Sequence, residues 1–298
     1  VTMGSDGSFV YQPSMAARLI STATSDTFTV SVSDGTAAPV TVTVNAVPVT
    51  HTTLTVAGTY PIVDDTSHVL AISPDGTRLF MTNPTHGSIK VVNADPTSGH
   101  LGDIILTIQI ENTTALAVSA DGKRLYVAAQ GATTASISTI DIDEASPTAY
   151  NIIDTQVMPL PGYHITDLAV SHDGARLYAT AYKITDSAAT GPIATDGILF
   201  TQMVADHTFN IAYLVPANTP TYTNDASPHA SLPSSVAISP DGTTVYVTDL
   251  KRGEVATYNP AGFRTGTVTT GFDPIAVSPG AGNDVWIASN TSQQALLH

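Results

Sequence analysis

Apolar residues fall along this chain in short bursts, and the longer bursts alternate with polar positions in the two-residue rhythm of a β-strand. One unit recurs. A short apolar strand, Leu70–Ile72, runs into Ser-Pro-Asp-Gly, and an alternating strand, Arg78–Thr82, follows. The same phrase returns as AVSADGKRLYVAA at 117–129, AVSHDGARLYATA at 169–181, AISPDGTTVYVTD at 237–249 and, altered at the turn, AVSPGAGNDVWIAS at 276–289. No segment shows the 3.6-residue period, so each unit is predicted to be a β-hairpin and helical solenoids are excluded.

The turn has a chemical logic. Asp accepts hydrogen bonds from backbone N–H groups ahead of it, and Gly takes the positive φ that the reversal needs. Asp75-Gly76, Asp121-Gly122, Asp173-Gly174 and Asp241-Gly242 keep the pair, and Gly280-Ala281-Gly282-Asn283 departs from it. No loop offers the D-x-D-x-D-G spacing of a calcium site. Third strands are predicted at 88–93, 136–142 and 254–259, and fourth strands at 103–110, 149–157 and 264–270. Four antiparallel strands at a period of roughly 40–50 residues describe the blades of a β-propeller. With its Ser-Pro-Asp-Gly and Tyr-Val-Thr phrases, the stretch from 52 to 298 resembles the YVTN family of propeller repeats.

Five blades are expected. The fifth hairpin is followed only by Thr291–His298, and TTLTVA at 52–57 stands where a fourth strand would be, so an N-terminal strand would close the ring and remove both sheet edges. The alternative is a piece of a larger ring. Residues 1–48 resemble the final strands of bacterial immunoglobulin-like or cadherin-like modules of the VCBS and Big type, in GSFVYQPS, SDTFTVSVSDG and PVTVTVNAVPV. The expected domains are therefore a partial sandwich at 1–48 and a propeller at 49–298.

Composition narrows the function. Ten Lys/Arg against 25 Asp/Glu give a net charge of −15, which opposes binding to nucleic acid or an anionic membrane surface. With no cysteine, thiol catalysis and Cys-based zinc sites are excluded. No apolar run reaches the roughly 20 residues of a transmembrane helix. No phosphate loop, G-x-S-x-G elbow or H-E-x-x-H helix is present, and no cofactor is expected.

In a propeller, the fourth-to-first and second-to-third connections share one face. Two of them are long, at 183–196 and 216–233, and long connections on a rigid scaffold are where binding commonly resides. The candidate ligand-binding residues on this face are His68, Asn83, His86, His164, Tyr182, Lys183, Tyr222, His229, Asp249, Lys251 and Arg252. Aromatic faces with amide, carboxylate and basic groups suit a polar ligand such as a glycan, or a surface protein. The resemblance implies an extracellular or cell-surface adhesion module of bacterial type. A metal-dependent lactonase-like hydrolase is the alternative, with Asp167 and Asp273 as its candidate ligands, and a purely structural spacer is the third reading.

Overall fold

A computed structural model describes residues 2–3, 9–10, 26–32, 40–46, 69–187, 191–213, 231–279, 285–289 and 295–297. The chain divides into two units, Val1–Pro61 and Ile62–His298. In the first, β1 (Thr2–Met3) pairs with β2 (Phe9–Val10), and β3 (Asp26–Val32) pairs with β4 (Val40–Ala46), both antiparallel. The proposed closing strand at 52–57 lies outside the described residues.

The second unit is a β-propeller. Its first sheet holds β5 (Leu70–Ile72), β6 (Arg78–Asn83), β7 (Ser88–Asn93) and β8 (Ile104–Gln109) in chain order. The second holds β9 (Thr113–Val118), β10 (Arg124–Gln130), β11 (Ala135–Asp141) and β12 (Ile152–Val157). The third holds β13 (Tyr163–Val170), β14 (Arg176–Ser187), β15 (Gly191–Met203) and β16 (Phe209–Tyr213). The fourth holds β17 (Pro233–Ile238), β18 (Val245–Asp249), β19 (Glu254–Tyr258) and β20 (Arg264–Thr269), and the fifth holds β21 (Pro274–Pro279), β22 (Val285–Ser289) and β23 (Ala295–Leu297). The first strands of successive sheets lie side by side, β5 by β9, β9 by β13, β13 by β17 and β17 by β21. Among the described residues no helix is long and apolar enough to cross a membrane.

The Ser-Pro-Asp-Gly turns form as their chemistry dictates. In the first, the Ser73 hydroxyl donates to Asp75 Oδ1 (2.5 Å), the Thr77 amide donates to the same oxygen (3.1 Å), and the Arg78 amide donates to Ser73 Oγ (2.9 Å). Gly76 sits at φ +73°. The same bonds recur around Ser119/Asp121, Ser171/Asp173 and Ser239/Asp241. Hydroxyl and amide donors stabilise each ionised carboxylate, holding all four aspartates below their ordinary pKa, with Asp75 at about 2.

The core is a series of layers between neighbouring sheets, because each sheet buries both faces. Phe80, Ile89 and Val91 pack on Leu116, Leu125, Val127 and Ile140 at the seam of sheets one and two. At the next seam the second sheet contributes smaller residues, Ala115, Ala117, Ala128 and Ala135, with Tyr126 and Ile137, against Leu168, Leu177, Ile198 and Phe200. Tyr178, Leu199, Val236, Val247 and Tyr258 fill the third seam.

One expected loop is not a loop. Residues 183–187 and 191–196 continue the strands β14 and β15, which stay in register from Lys183↔Thr195 to Ser187↔Gly191, and 188–190 lie outside the described residues. Their sheet neighbours stop earlier, β13 at Lys183 and β16 at Ile198, so the pair runs on as a two-stranded ribbon. Thr185, Ile193 and Thr195 suit an extended backbone, and that preference prevails over the Ser-Ala-Ala-Thr-Gly stretch that reads as loop. Of the second expected loop, 216–233, residues 216–230 lie outside the described residues.

Candidate functional site

Backbone bonds define the two faces. The Ile110 amide reaches the Gly87 carbonyl (3.0 Å), Gly162 reaches Thr133 (2.8 Å) and Thr270 reaches Gly253 (2.9 Å). These bonds put second-to-third turns beside fourth-to-first connections on one face. On the other, Ala94 bonds to Thr77, Ile142 to Lys123 and Val204 to Ala175, which joins the Ser-Asp-Gly turns to the third-to-fourth turns.

Two of the sequence-predicted residues, His164 and Tyr182, meet on the first face, and Lys183 follows them on β14. β13 and β14 pair His164 with Tyr182 and Tyr163 with Lys183. The His164 and Tyr182 rings stack with centroids 5.8 Å apart and planes 24° apart. Both are half-buried, Lys183 is exposed, and all three stand at the root of the β14–β15 ribbon. A flat aromatic ledge of this kind offers stacking surface to the C–H face of a ring.

The other predicted residues hold the scaffold. Asn83 ends β6 buried, and its Oδ1 accepts from the His86 amide (3.3 Å), capping the single turn Pro84–His86. His86 is exposed, with Nδ1 3.2 Å from the same oxygen. Asp249 is fully buried at the end of β18. Its Oδ2 accepts from Ser231 Oγ (2.5 Å), and its Oδ1 accepts from the amides of Leu232 (3.1 Å), Lys251 (3.1 Å) and Arg252 (3.2 Å). Burial raises the Asp249 pKa against these bonds. Arg252 Nε donates to Glu254 Oε1 (3.1 Å), which Arg264 Nη2 also reaches (3.1 Å), so Arg252 belongs to a largely buried ion-pair cluster. His68, Tyr222 and His229 lie outside the described residues.

The candidate metal ligands are not gathered. Asp167 is pulled into the seam of sheets three and four, where it accepts from Ser235 Oγ (2.8 Å) and the amides of Val236 (2.9 Å) and Leu168 (2.9 Å). Burial raises its pKa. Asp273 is exposed in the connection before β21. Among the described residues no three His, Asp or Glu side chains form a group that could hold a metal ion.

Sequence reasoning missed a second concavity. A groove of about 330 Å³ lies between sheets two and three, lined by Arg124, Tyr126, Asp154, Gln156, Gln202 and His207 among apolar walls. Arg124 and Tyr126 stand in repeat register with Arg78 and Phe80, which marks them as blade positions and says nothing of an opening beside them.

The family described as a lactonase, seven-bladed β-propeller, matches residues 78–283. No curated protein matches the chain closely. Among solved structures, the β-propeller domain of Cps50 (Swd1) from Myceliophteria thermophila is similar at 10% identity and TM-score 0.52, covering 78% of this chain and 70% of that one. A chain of a nidogen/laminin complex is similar at 14% identity and TM-score 0.53, covering 78% and 76%. A luciferin-regenerating enzyme is similar at 12% identity and TM-score 0.52, covering 78% and 71%. At such identities the likeness speaks to fold. The family's description corrects the expected blade number: it counts seven, not five.

Proposed function

We propose a function from the premise that this chain belongs to the lactonase family of seven-bladed β-propellers: it is a recognition propeller that captures a polar, ring-containing ligand such as a glycan at the root of the third-blade ribbon. The observation that carries this reading is the His164–Tyr182 stack. Asp167, Asp249 and Glu254 are engaged in internal bonds, which favours binding over acid–base chemistry at these positions. The Ser-Pro-Asp-Gly and Tyr-Val-Thr repeats support a YVTN-type propeller on an immunoglobulin-like stalk, exported to the cell surface. A glycan array probed with the intact chain and with Tyr182→Ala tests the reading. The chain should bind a defined glycan set and the variant should lose it at unchanged melting temperature; equal binding by both rejects the ledge as the site.

Lactone hydrolysis is the second reading, favoured by the family match and by the likeness to a luciferin-regenerating enzyme. It predicts base uptake in a pH-stat assay with simple γ- and δ-lactones that is abolished by chelator and restored by a divalent cation.

A further inference from the structure

Side-chain hydrogen bonds tie neighbouring sheets together, and the second seam is tied differently from the first and the third. At the first seam, Arg78 Nη1 crosses from sheet one to the Ile142 carbonyl (2.8 Å) and the Tyr150 hydroxyl (3.2 Å), with Glu144 3.5 Å away. At the third seam, the Tyr178 hydroxyl donates to the Pro260 carbonyl (3.0 Å) and Asn210 Nδ2 donates to the Ala261 carbonyl (2.9 Å). At the second seam the residues in the same repeat positions do otherwise. Arg124 turns back to its own sheet, giving Nη1 to Asp141 Oδ1 (2.7 Å) and to the Lys123 carbonyl (2.9 Å). Among the described residues nothing takes the Tyr126 hydroxyl. The groove of about 330 Å³ lies at this seam, where Gln156 Nε2 of sheet two stands 3.4 Å from His207 Nε2 of sheet three.

The groove has an apolar body and one charged edge. Ile137, Ile153, Leu177 and Val204 form its walls. At the rim stands Asp154, whose side chain keeps 37% of its surface exposed. Gln156 Nε2 donates to both of its oxygens (2.9 and 3.2 Å), and His207 Nε2 lies 3.5 Å from Oδ2. The charge of Arg124 is matched by Asp141, and Asp154 is the carboxylate that lines the cavity. The chain as a whole is strongly acidic, so cations approach it and anions are repelled.

We propose that the groove between sheets two and three binds a small organic cation, an amine with an apolar body, whose ammonium group is held by Asp154 while its hydrocarbon packs on Ile137, Ile153, Leu177 and Val204. The ammonium sets a positive charge against the part-exposed Asp154 carboxylate, and the hydrocarbon covers the apolar wall of the groove. The site lies on the face opposite the His164–Tyr182 ledge and stands or falls separately from it.

Titration calorimetry with 2-phenylethylammonium chloride tests the assignment, with 2-phenylethanol and 3-phenylpropionate as neutral and anionic controls of similar shape. One-site saturable binding of the ammonium compound is expected, with both controls weaker by about tenfold or more, the size of one charge-assisted hydrogen bond. Asp154→Asn should weaken the ammonium compound by about tenfold and leave the alcohol unchanged. Its melting temperature should match that of the parent, because the residue sits on the outer strand β12. His207→Gly, at a position whose φ of +59° suits glycine, removes the imidazole competing for Asp154 and should leave the affinity equal or higher. Four results would each overturn the proposal: no saturable binding at millimolar concentrations, equal affinity for the alcohol, an unaffected Asp154→Asn, or a tenfold loss in His207→Gly.

Discussion

Asp167 on β13 accepts a 2.8 Å hydrogen bond from the hydroxyl of Ser235 on β17, so one carboxylate ties two neighbouring blades at their inner strands. The same oxygen takes the Val236 amide, and the other oxygen takes Leu168. Three donors converge on a group that burial would otherwise expel. In Asp167→Asn the amide nitrogen must oppose an N–H donor on one side or the other. A loss of about 1–3 kcal/mol is expected in urea unfolding, whereas Asp273→Asn, on an exposed connection, should stay within about 0.5 kcal/mol. Equal small effects would show that the seam does not depend on this acceptor.

The turn aspartates give the propeller a defined acid response. Their folded pKa values are depressed, so the stability they contribute is present above the ordinary carboxylate range and is lost as pH falls through the folded value, about 2 for Asp75. Asp141, held at about 2 by Ser146 and Thr148, acts in the same direction. Asp167 and Asp249 act oppositely, since burial raises their pKa and protonation relieves the cost of their charge. The depressed group is larger, so the melting temperature should fall between about pH 4 and pH 2. Ser239→Ala removes the main donor to Asp241 and the acceptor for the Thr244 amide. It should cost about 1–2 kcal/mol at neutral pH and make the acid-induced fall shallower. An unchanged pH profile would contradict the assignment of that fall to the turns.

What could be read from the sequence is what the repeat encodes locally. The third strand predicted at 88–93 is β7, and the fourth strands predicted at 103–110 and 264–270 lie within a residue of β8 and β20. Those strands are bounded by turn chemistry that acts over a few residues. The stack of His164 on Tyr182 was legible as two candidates on one face, though their pairing waits on the register of β13 against β14. The ribbon at 183–196 was misread because Ser187, Ala188, Ala189, Thr190 and Gly191 compose a loop by residue type while their neighbours continue the strands. The latches were beyond reach. Whether Arg78 crosses a seam and Arg124 folds back depends on partners far along the chain, and both residues occupy the same place in identical-looking turns.

Gly197 on β15 marks a close approach that no other residue would permit. A Cβ there would meet the hydroxyl of Ser231 and would sit 2.8 Å from Pro233 Cδ. Ser231 is fully buried and bonded to Asp249, so displacing it strips a donor from a buried carboxylate. Gly197→Ala should cost about 2–3 kcal/mol, combining overpacking with the weakened bond. Ser231→Ala removes the clashing hydroxyl, so the double variant should be destabilised by less than the sum of the two single changes in urea unfolding. Additive losses would mean that the two residues do not share one contact.

Two tyrosines in equivalent repeat positions test whether latching distinguishes the seams. Tyr178 is buried, and its hydroxyl holds the Pro260 carbonyl at 3.0 Å; Tyr126 packs its ring in the second seam and turns its hydroxyl to the groove. Replacing either with Phe keeps the ring and its burial and deletes one oxygen. Tyr178→Phe also leaves the Pro260 carbonyl without its donor, so a loss of about 1–2 kcal/mol is expected, against less than about 0.5 kcal/mol for Tyr126→Phe. Urea unfolding of both variants under one set of conditions gives the comparison directly. If the two losses were equal, Tyr126 would have to be bonded across its seam as Tyr178 is.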